Sequence, residues 1–217
     1  MTTLQAIGER ALAHRLAVFG AFHPKECDGA GSAKTLILVG PDEPGFWNHF
    51  TSSPEWQDGA PDPMDRWSKR VITALAAASG GRAIFPSDGP PYPPFFNWAL
   101  RTGRSWRSPV KLLVHDRAGL MVSFRGALAL GERIELPATA VSSPCESCAD
   151  RPCLTACPVG ALTVSGYDVA VCHTHLDRPG GRDCISCGCR VRRACPVSQA
   201  YGRLPEQSAY HMGQFHR

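Results

Sequence analysis

Nine of the ten cysteines lie between Cys145 and Cys195. Four fall in the stretch CESCADRPCLTACPVGAL, spaced C-x2-C-x4-C-x3-C-P: Cys145, Cys148, Cys153 and Cys157, followed by Pro158. Thiols this close hold metal, because a Cys-x2-Cys loop turns two sulfurs toward one centre. From Cys153 to Cys157 is about one helical turn, roughly 6 Å of rise. Pro158 disfavours helix at the residue before it. Cys157 therefore ends a short turn, with its sulfur free to point away from the first three. The second group is less regular. YDVAVC supplies Cys172, and DCISCGCRVRRACPV supplies Cys184, Cys187, Cys189 and Cys195, followed by Pro196. CLTACPVGAL and CRVRRACPVSQA share Cys-Pro-Val, so two related half-motifs fit two related centres. Two four-thiolate centres use eight of the nine cysteines, which leaves one of Cys184, Cys187 and Cys189 spare. Cys184 with Cys187 keeps the x2 spacing. Cys184 with Cys189 puts Gly188 beside a ligand, where bare backbone can approach a cluster.

In a compartment that keeps thiols reduced, clustered cysteines hold metal rather than form disulfides. A C-x3-C-P run whose fourth cysteine serves the other cluster is the arrangement of bacterial ferredoxins, with ADRP widening one loop by two residues here. Two zinc sites would also use eight thiolates, in a zinc-stabilised interaction protein. Zinc ribbons favour two separate C-x2-C knuckles, which the C-x3-C-P ending and the isolated Cys172 fit badly. His173 and His175, beside Cys172, read as solvent-facing or helix-capping rather than as ligands. Cys27 reads as a small packed or half-exposed residue. Arg151, Arg182, Arg190, Arg192 and Arg193 surround the cysteines. They form either a solvated basic face or positive charge that raises a cluster's potential and steers an acidic redox partner.

The elements that must position these groups divide near residue 140, where PATAVSSP reads as a linker. Residues 1–140 form one expected domain and 141–217 a second. The 43% hydrophobic content supports a packed core, and a net charge of +4 does not by itself argue for nucleic acid. The N-terminus lacks a signal-peptide pattern, and no stretch approaches about 18 uninterrupted apolar residues. These features predict a cytoplasmic protein without a membrane partner. Leu4, Ile7, Ala11, Leu12, Leu16 and Phe19 mark a helical stripe over 4–19. KTLILVG and RAIFP read as strands, 65–79 as a helix capped by Asp65, and FFNWALRTG as a short helix. VKLLVH and LMVSFR, joined by DRAG, read as a hairpin, and ALALGERIEL adds a strand. The fold class is α+β, a mixed α/β-layer domain followed by a small dicluster ferredoxin-like domain.

Residues 145–217 resemble the C-terminal iron–sulfur module of epoxyqueuosine reductases. The whole chain resembles small bacterial ferredoxin-like dicluster proteins, through SPEWQDGAPDPMDRWSKRV, GPPYPPFFNWALRTGRSWRSPV, GLMVSFRGALAL and YGRLPEQSAYHM. The closing pattern of that group, Cys-x4-Cys-x5-Cys-Pro, implies Cys189 rather than Cys187 as ligand. Carried over by position, the resemblance implies two [4Fe–4S] clusters, one on Cys145, Cys148, Cys153 and Cys195, the other on Cys157, Cys172, Cys184 and Cys189. Epoxyqueuosine reductases and related enzymes join this module to a nitroreductase-like domain that holds a corrinoid. The N-terminal half is similar in element order but shorter, and it has no stretch matching the catalytic acid segment of epoxyqueuosine reductase.

Two loops rich in Pro, Gly and aromatics, 40–67 and 85–100, are of the kind that lines binding sites. Trp47, Trp56, Trp67, Tyr92, Phe95 and Trp98 would build an apolar slot for a corrinoid or another small molecule, with Asp65, Arg66 and Arg125 as polar anchors. The competing expectation is that the aromatics pack a small core and Asp65 caps a helix. Two functions follow. One is an electron-transfer protein whose N-terminal half is a docking scaffold. The other is an oxidoreductase whose clusters feed a cofactor or substrate.

Overall fold

The run TLILVGP is buried at every position, which an antiparallel strand achieves only when both its faces are covered and it has neighbours on both sides. In the computed structural model, which describes residues 3–138 and 142–216, this run is a central strand. In chain order the elements are α1 (Leu4–Leu12), β1 (Leu16–Phe22), β2 (Thr35–Pro41), α2 (Phe46–Thr51), α3 (Pro54–Gln57), α4 (Pro63–Ala77), β3 (Gly81–Ile84) and α5 (Phe95–Arg101). Then come β4 (Ser105–Arg107), β5 (Leu113–His115), β6 (Gly126–Leu130), β7 (Leu162–Thr163), β8 (Gly166–Tyr167) and α6 (Val169–Leu176). The chain closes with α7 (Arg182–Cys187), α8 (Arg190–Ala194), α9 (Pro196–Tyr201) and α10 (Pro205–Phe215). The fold is mixed α and β with small antiparallel sheets. No helix among the described residues is long and apolar enough to cross a membrane.

The chain forms two compact units, and the division is not a single cut. One unit holds Met1–Arg104 and Ser123–Ala140, the other Ser105–Val122 and Val141–Arg217. The sequence reading placed 105–122 with the N-terminal half, and the structure puts this segment with the cysteines. In the first unit the sheet runs β1-β2-β6-β3, all antiparallel. The central strands β2 and β6 are buried throughout, while the edge strand β3 is partly open. Helix α4 packs on β3 and β6, and α1 packs on β1.

The helical stripe expected over 4–19 stops early. Helix α1 ends at Leu12, Arg15 takes a left-handed φ of 52°, and Leu16 to Phe22 continue as β1. Leu16 and Phe19 are buried as expected, but on a strand. Spaced apolar residues satisfy both periods until a backbone break separates them. Helix α4 begins at Pro63, two residues before the expected start, and Asp65 lies within its first turn rather than at its cap. The loop expected over 40–67 contains α2 and α3. The hairpin expected from VKLLVH and LMVSFR is absent. Instead β5 pairs with β4, and after a tight turn in which His115 and Gly119 exchange both main-chain hydrogen bonds, LMVSFR runs on without strand.

Strand β1 carries a register shift between Val18 and Gly20. Gly20 has φ 138°, and a Cβ there would lie 2.5 Å from the Thr102 Cβ. Gly20→Ala combines backbone strain with a clash against a buried side chain. It is expected to destabilise the protein by about 2 kcal/mol or more, read as a lower urea midpoint at unchanged slope.

Candidate metal centre

The second unit is built around a small apolar cluster, Val110, Val114, Leu120, Cys153, Leu162 and Val191, against which Cys145, Cys157, Cys189 and Cys195 also pack. Three side chains from the C-terminal segment hold the main chain of 120–121. The Leu120 N–H donates to Ser198 Oγ at 2.8 Å, Arg192 Nη1 donates to Leu120 O at 2.6 Å, and Arg203 Nη1 donates to Met121 O at 3.0 Å. Gly119 makes this approach possible, since a Cβ there would sit 2.5 Å from the Ser198 nitrogen.

The thiols separate into two groups. Cys145 and Cys148 lie in the turns after 143, Cys153 sits in a 3-10 turn (Pro152–Leu154), and Cys195 is the residue from which α9 starts. These four line one cavity of about 200 Å³, together with Ser108, Val114, Leu120 and Arg151. Burial pushes the Cys145 and Cys153 thiols above the usual range, and the neighbouring sulfurs of this same group push them further. The second group is Cys157, Cys172, Cys184 and Cys189. Burial raises the Cys172 thiol, with Cys189, Cys157 and Cys184 adding to it and a hydrogen bond from Tyr167 opposing. Burial also raises Cys184, where Cys189 again contributes. The Ala161 N–H donates to Cys157 Sγ at 3.2 Å. In both groups the terminal Cys-Pro cysteine lies with the thiols of the other half-motif.

Gly188 separates Cys187 from Cys189. It has φ 90° and ψ 165°, a conformation for glycine alone, and its α-carbon faces Ser208 so closely that a Cβ would lie 2.7 Å from the serine Cβ. Helix α7 ends at Cys187, the chain reverses at Gly188, and Cys189 starts α8.

Among the described residues no three His, Cys, Asp or Glu side chains close on a single-ion site. Cys153 and Cys184 are buried, and the other six thiols of the two groups are partly buried. Burial and the neighbouring sulfurs oppose ionisation of Cys145, Cys153, Cys172 and Cys184. All ten cysteines are free. The His173 ring packs against Phe215 and His216. Its Nδ1 is 2.7 Å from Nδ1 of His216, whose Nε2 is 2.9 Å from Asp177 Oδ1. Cys27 is exposed in the first unit.

In the first unit, the aromatics expected to line a slot are consumed in packing. Trp47 and Trp67 both pack against Phe50, with Trp56 and Phe46 completing that group. Phe95 and Trp98 form another group with Phe124, and the Trp98 indole N–H donates to Asp28 O at 2.7 Å. Tyr92 stands apart, 66% exposed. The correction is energetic: each buried indole or phenyl removes more apolar area from water against its fellows than along an open wall. Of the expected anchors, Arg125 and Asp65 are 3.9 Å apart in a cavity of about 300 Å³ with Ser68, Phe85, Pro86 and Ser87. That volume is the lower limit for a drug-sized ligand, and a corrinoid is several times larger. Arg66 instead pins the start of α4, through both oxygens of Asp58 and the carbonyls of Glu55, Ala60 and Pro61. Comparison with protein families, curated proteins and solved structures returns no match to this chain.

Proposed function

We propose that the chain is an electron-transfer protein carrying two [4Fe–4S] clusters, one on Cys145, Cys148, Cys153 and Cys195 and the other on Cys157, Cys172, Cys184 and Cys189. The observation that carries this reading is the sorting of eight thiols into two mutually interacting quartets, each completed by the cysteine of the opposite Cys-Pro motif. When bound, such clusters supply one-electron transfer. The chain's own residues supply the rest. The apolar wall of Val114, Leu120, Pro109 and Val197 restricts water around the first quartet. The Ala161 N–H and the Tyr167 hydroxyl donate to thiolates of the second.

The reading places the protein where thiols stay reduced, in the cytoplasm. It makes the second unit a ferredoxin-like module and the first a docking scaffold. Arg151 and Arg182, both exposed, provide positive charge that attracts an acidic redox partner. Arg190 and Arg193 contribute less, because both bind the Asp183 carboxylate.

Anaerobic reconstitution is expected to give about eight irons per chain, the sum of two four-iron clusters, with broad brown absorption. Stoichiometric zinc in a colourless protein would instead support a zinc-stabilised interaction protein. The crossover makes a sharper demand on single variants. Cys148→Ala should damage the first centre and Cys157→Ala the second, resolved by spectroscopy of the reduced proteins. Damage to the same centre alone would remove the crossover. Cys187→Ser is expected to keep its full iron content and Cys189→Ser to lose about half, measured by iron and protein assay.

A further inference from the structure

We propose that the Ser108 hydroxyl donates a hydrogen bond to a sulfur of the Cys145–Cys148–Cys153–Cys195 centre and raises the potential of that centre. The inference rests on the two-cluster reading above and assigns to one centre a residue from outside the cysteine motifs.

Ser108 reaches this centre from the loop between β4 and β5. The two strands pair from Ser105 with His115 to Arg107 with Leu113. Beyond them the Ser108 N–H donates to Leu112 O at 2.8 Å, and Ser108 O accepts from the Lys111 N–H at 2.9 Å. Pro109 takes the turn position that its fixed φ suits, and Lys111 adopts a left-handed φ of 64°. Val110 and Val114, on either side of this turn, are buried in the apolar cluster that includes Cys153. The loop is closed by main-chain bonds and anchored by both valines. The Ser108 side chain is therefore held at the cavity wall.

Beside the cysteines, the polar side chains lining that cavity are Ser108, Ser147 and Arg151. They are not equivalent. Ser147 and Arg151 are exposed, so water solvates them, and the Ser147 hydroxyl donates to Pro144 O at 3.4 Å. Ser108 is 4% exposed, and its hydroxyl has no hydrogen-bond partner among the described residues. Its own main-chain groups are already engaged in the turn. A buried hydroxyl left unpaired is destabilising, and alanine would fill the same place without that cost. Pro109, Val114, Leu120 and Val197 offer no side-chain acceptor, so the acceptors concentrated in this wall are the four sulfurs. Ser105, on β4, makes a useful contrast. Its hydroxyl is also buried and without a partner among the described residues, but Ser105 does not line the cavity.

A serine hydroxyl has one proton to donate. Hydrogen bonds to ionised acceptors are the stronger ones, and a cluster sulfur gains negative charge when an electron is added. The Ser108 bond is therefore stronger to the reduced state than to the oxidised one, which raises the potential. Hydrogen bonds to the sulfurs are among the factors that set iron–sulfur potentials. The apolar wall strengthens the effect, because a hydrogen bond is electrostatically stronger at low local dielectric. The electron comes from an external one-electron donor, no covalent bond is made or broken, and the proton stays on Ser108 Oγ.

The test is a mediated dithionite titration of the reconstituted full chain, followed by electron paramagnetic resonance. The first centre is identified as the signal lost in Cys148→Ala. In Ser108→Ala the ratio of reduced to oxidised first centre at fixed potential should fall about tenfold, equivalent to about 59 mV for a one-electron couple. The second centre should stay in place. Ser108→Thr keeps the hydroxyl and should hold the first centre near its wild-type potential, and Ser105→Ala should leave both centres unmoved. A second measurement stands even if Ser108→Ala fails to hold its clusters. Reduced wild type exchanged into D2O should show a deuteron coupled to the first centre by electron–nuclear double resonance, and Ser108→Ala should lose that coupling. The inference is overturned by an unshifted first centre in Ser108→Ala, the result expected if the hydroxyl bonds a cavity water instead of a sulfur. A shift confined to the second centre, or no exchangeable deuteron at the first centre of wild type, overturns it equally. A wild-type chain that does not assemble about eight irons overturns the two-cluster reading itself.

Discussion

Leu120 is held at both ends of its main chain, its N–H by Ser198 and its carbonyl by Arg192. Much of the second unit depends on that clamp. It draws residues 105–122 out of the N-terminal half of the sequence and into the unit that holds the cysteines. It sets the Leu120 side chain against Cys153 and Val191 in the core and into the wall of the first cavity. It also fixes the Arg192 guanidinium at the Leu120 carbonyl.

That clamp also explains where sequence reasoning stopped. A serine, an arginine and a leucine separated by more than 70 positions carry no pattern that announces a contact. The segments VKLLVH and LMVSFR, joined by DRAG over 110–125, read as a hairpin, and the turn closed by His115 and Gly119 diverts the chain. Strand β2 was legible because a continuous apolar run has few other uses. The end of α1 was not, because Leu16 and Phe19 fit a helical stripe as readily as a strand. The left-handed φ at Arg15 that decides the matter has no sequence mark, arginine being an unusual residue in that conformation.

The cysteines show the same boundary between pattern and geometry. Spacing locates the thiols and offers two half-motifs, but it leaves Cys187 and Cys189 open, since both can follow Cys184 in a plausible loop. The backbone reverses at Gly188 against Ser208 of α10, so that Cys187 ends one helix and Cys189 precedes the next. The aromatics failed for a different reason. Trp47, Trp67, Phe95 and Trp98 suit a ligand wall and a protein core equally, and composition contains no term for which neighbours they meet. In the structure they meet each other.

The second unit is built of short pieces. Its helices run from 5 to 11 residues, and two of its strands have only two residues each. Helices of that length are marginal alone, and the apolar cluster around Val114, Leu120 and Val191 is small. The thiols make the balance worse, since desolvation and mutual repulsion oppose their ionisation. On the proposed reading metal reverses both terms at once. It neutralises the thiolates and ties together turns that are distant in sequence, as structural metals do in other small domains. The crossover adds to this, because each centre then joins the 145–157 loop to the helices after 168. The arrangement that suits two clusters for electron transfer is thus also the one that closes the fold around them.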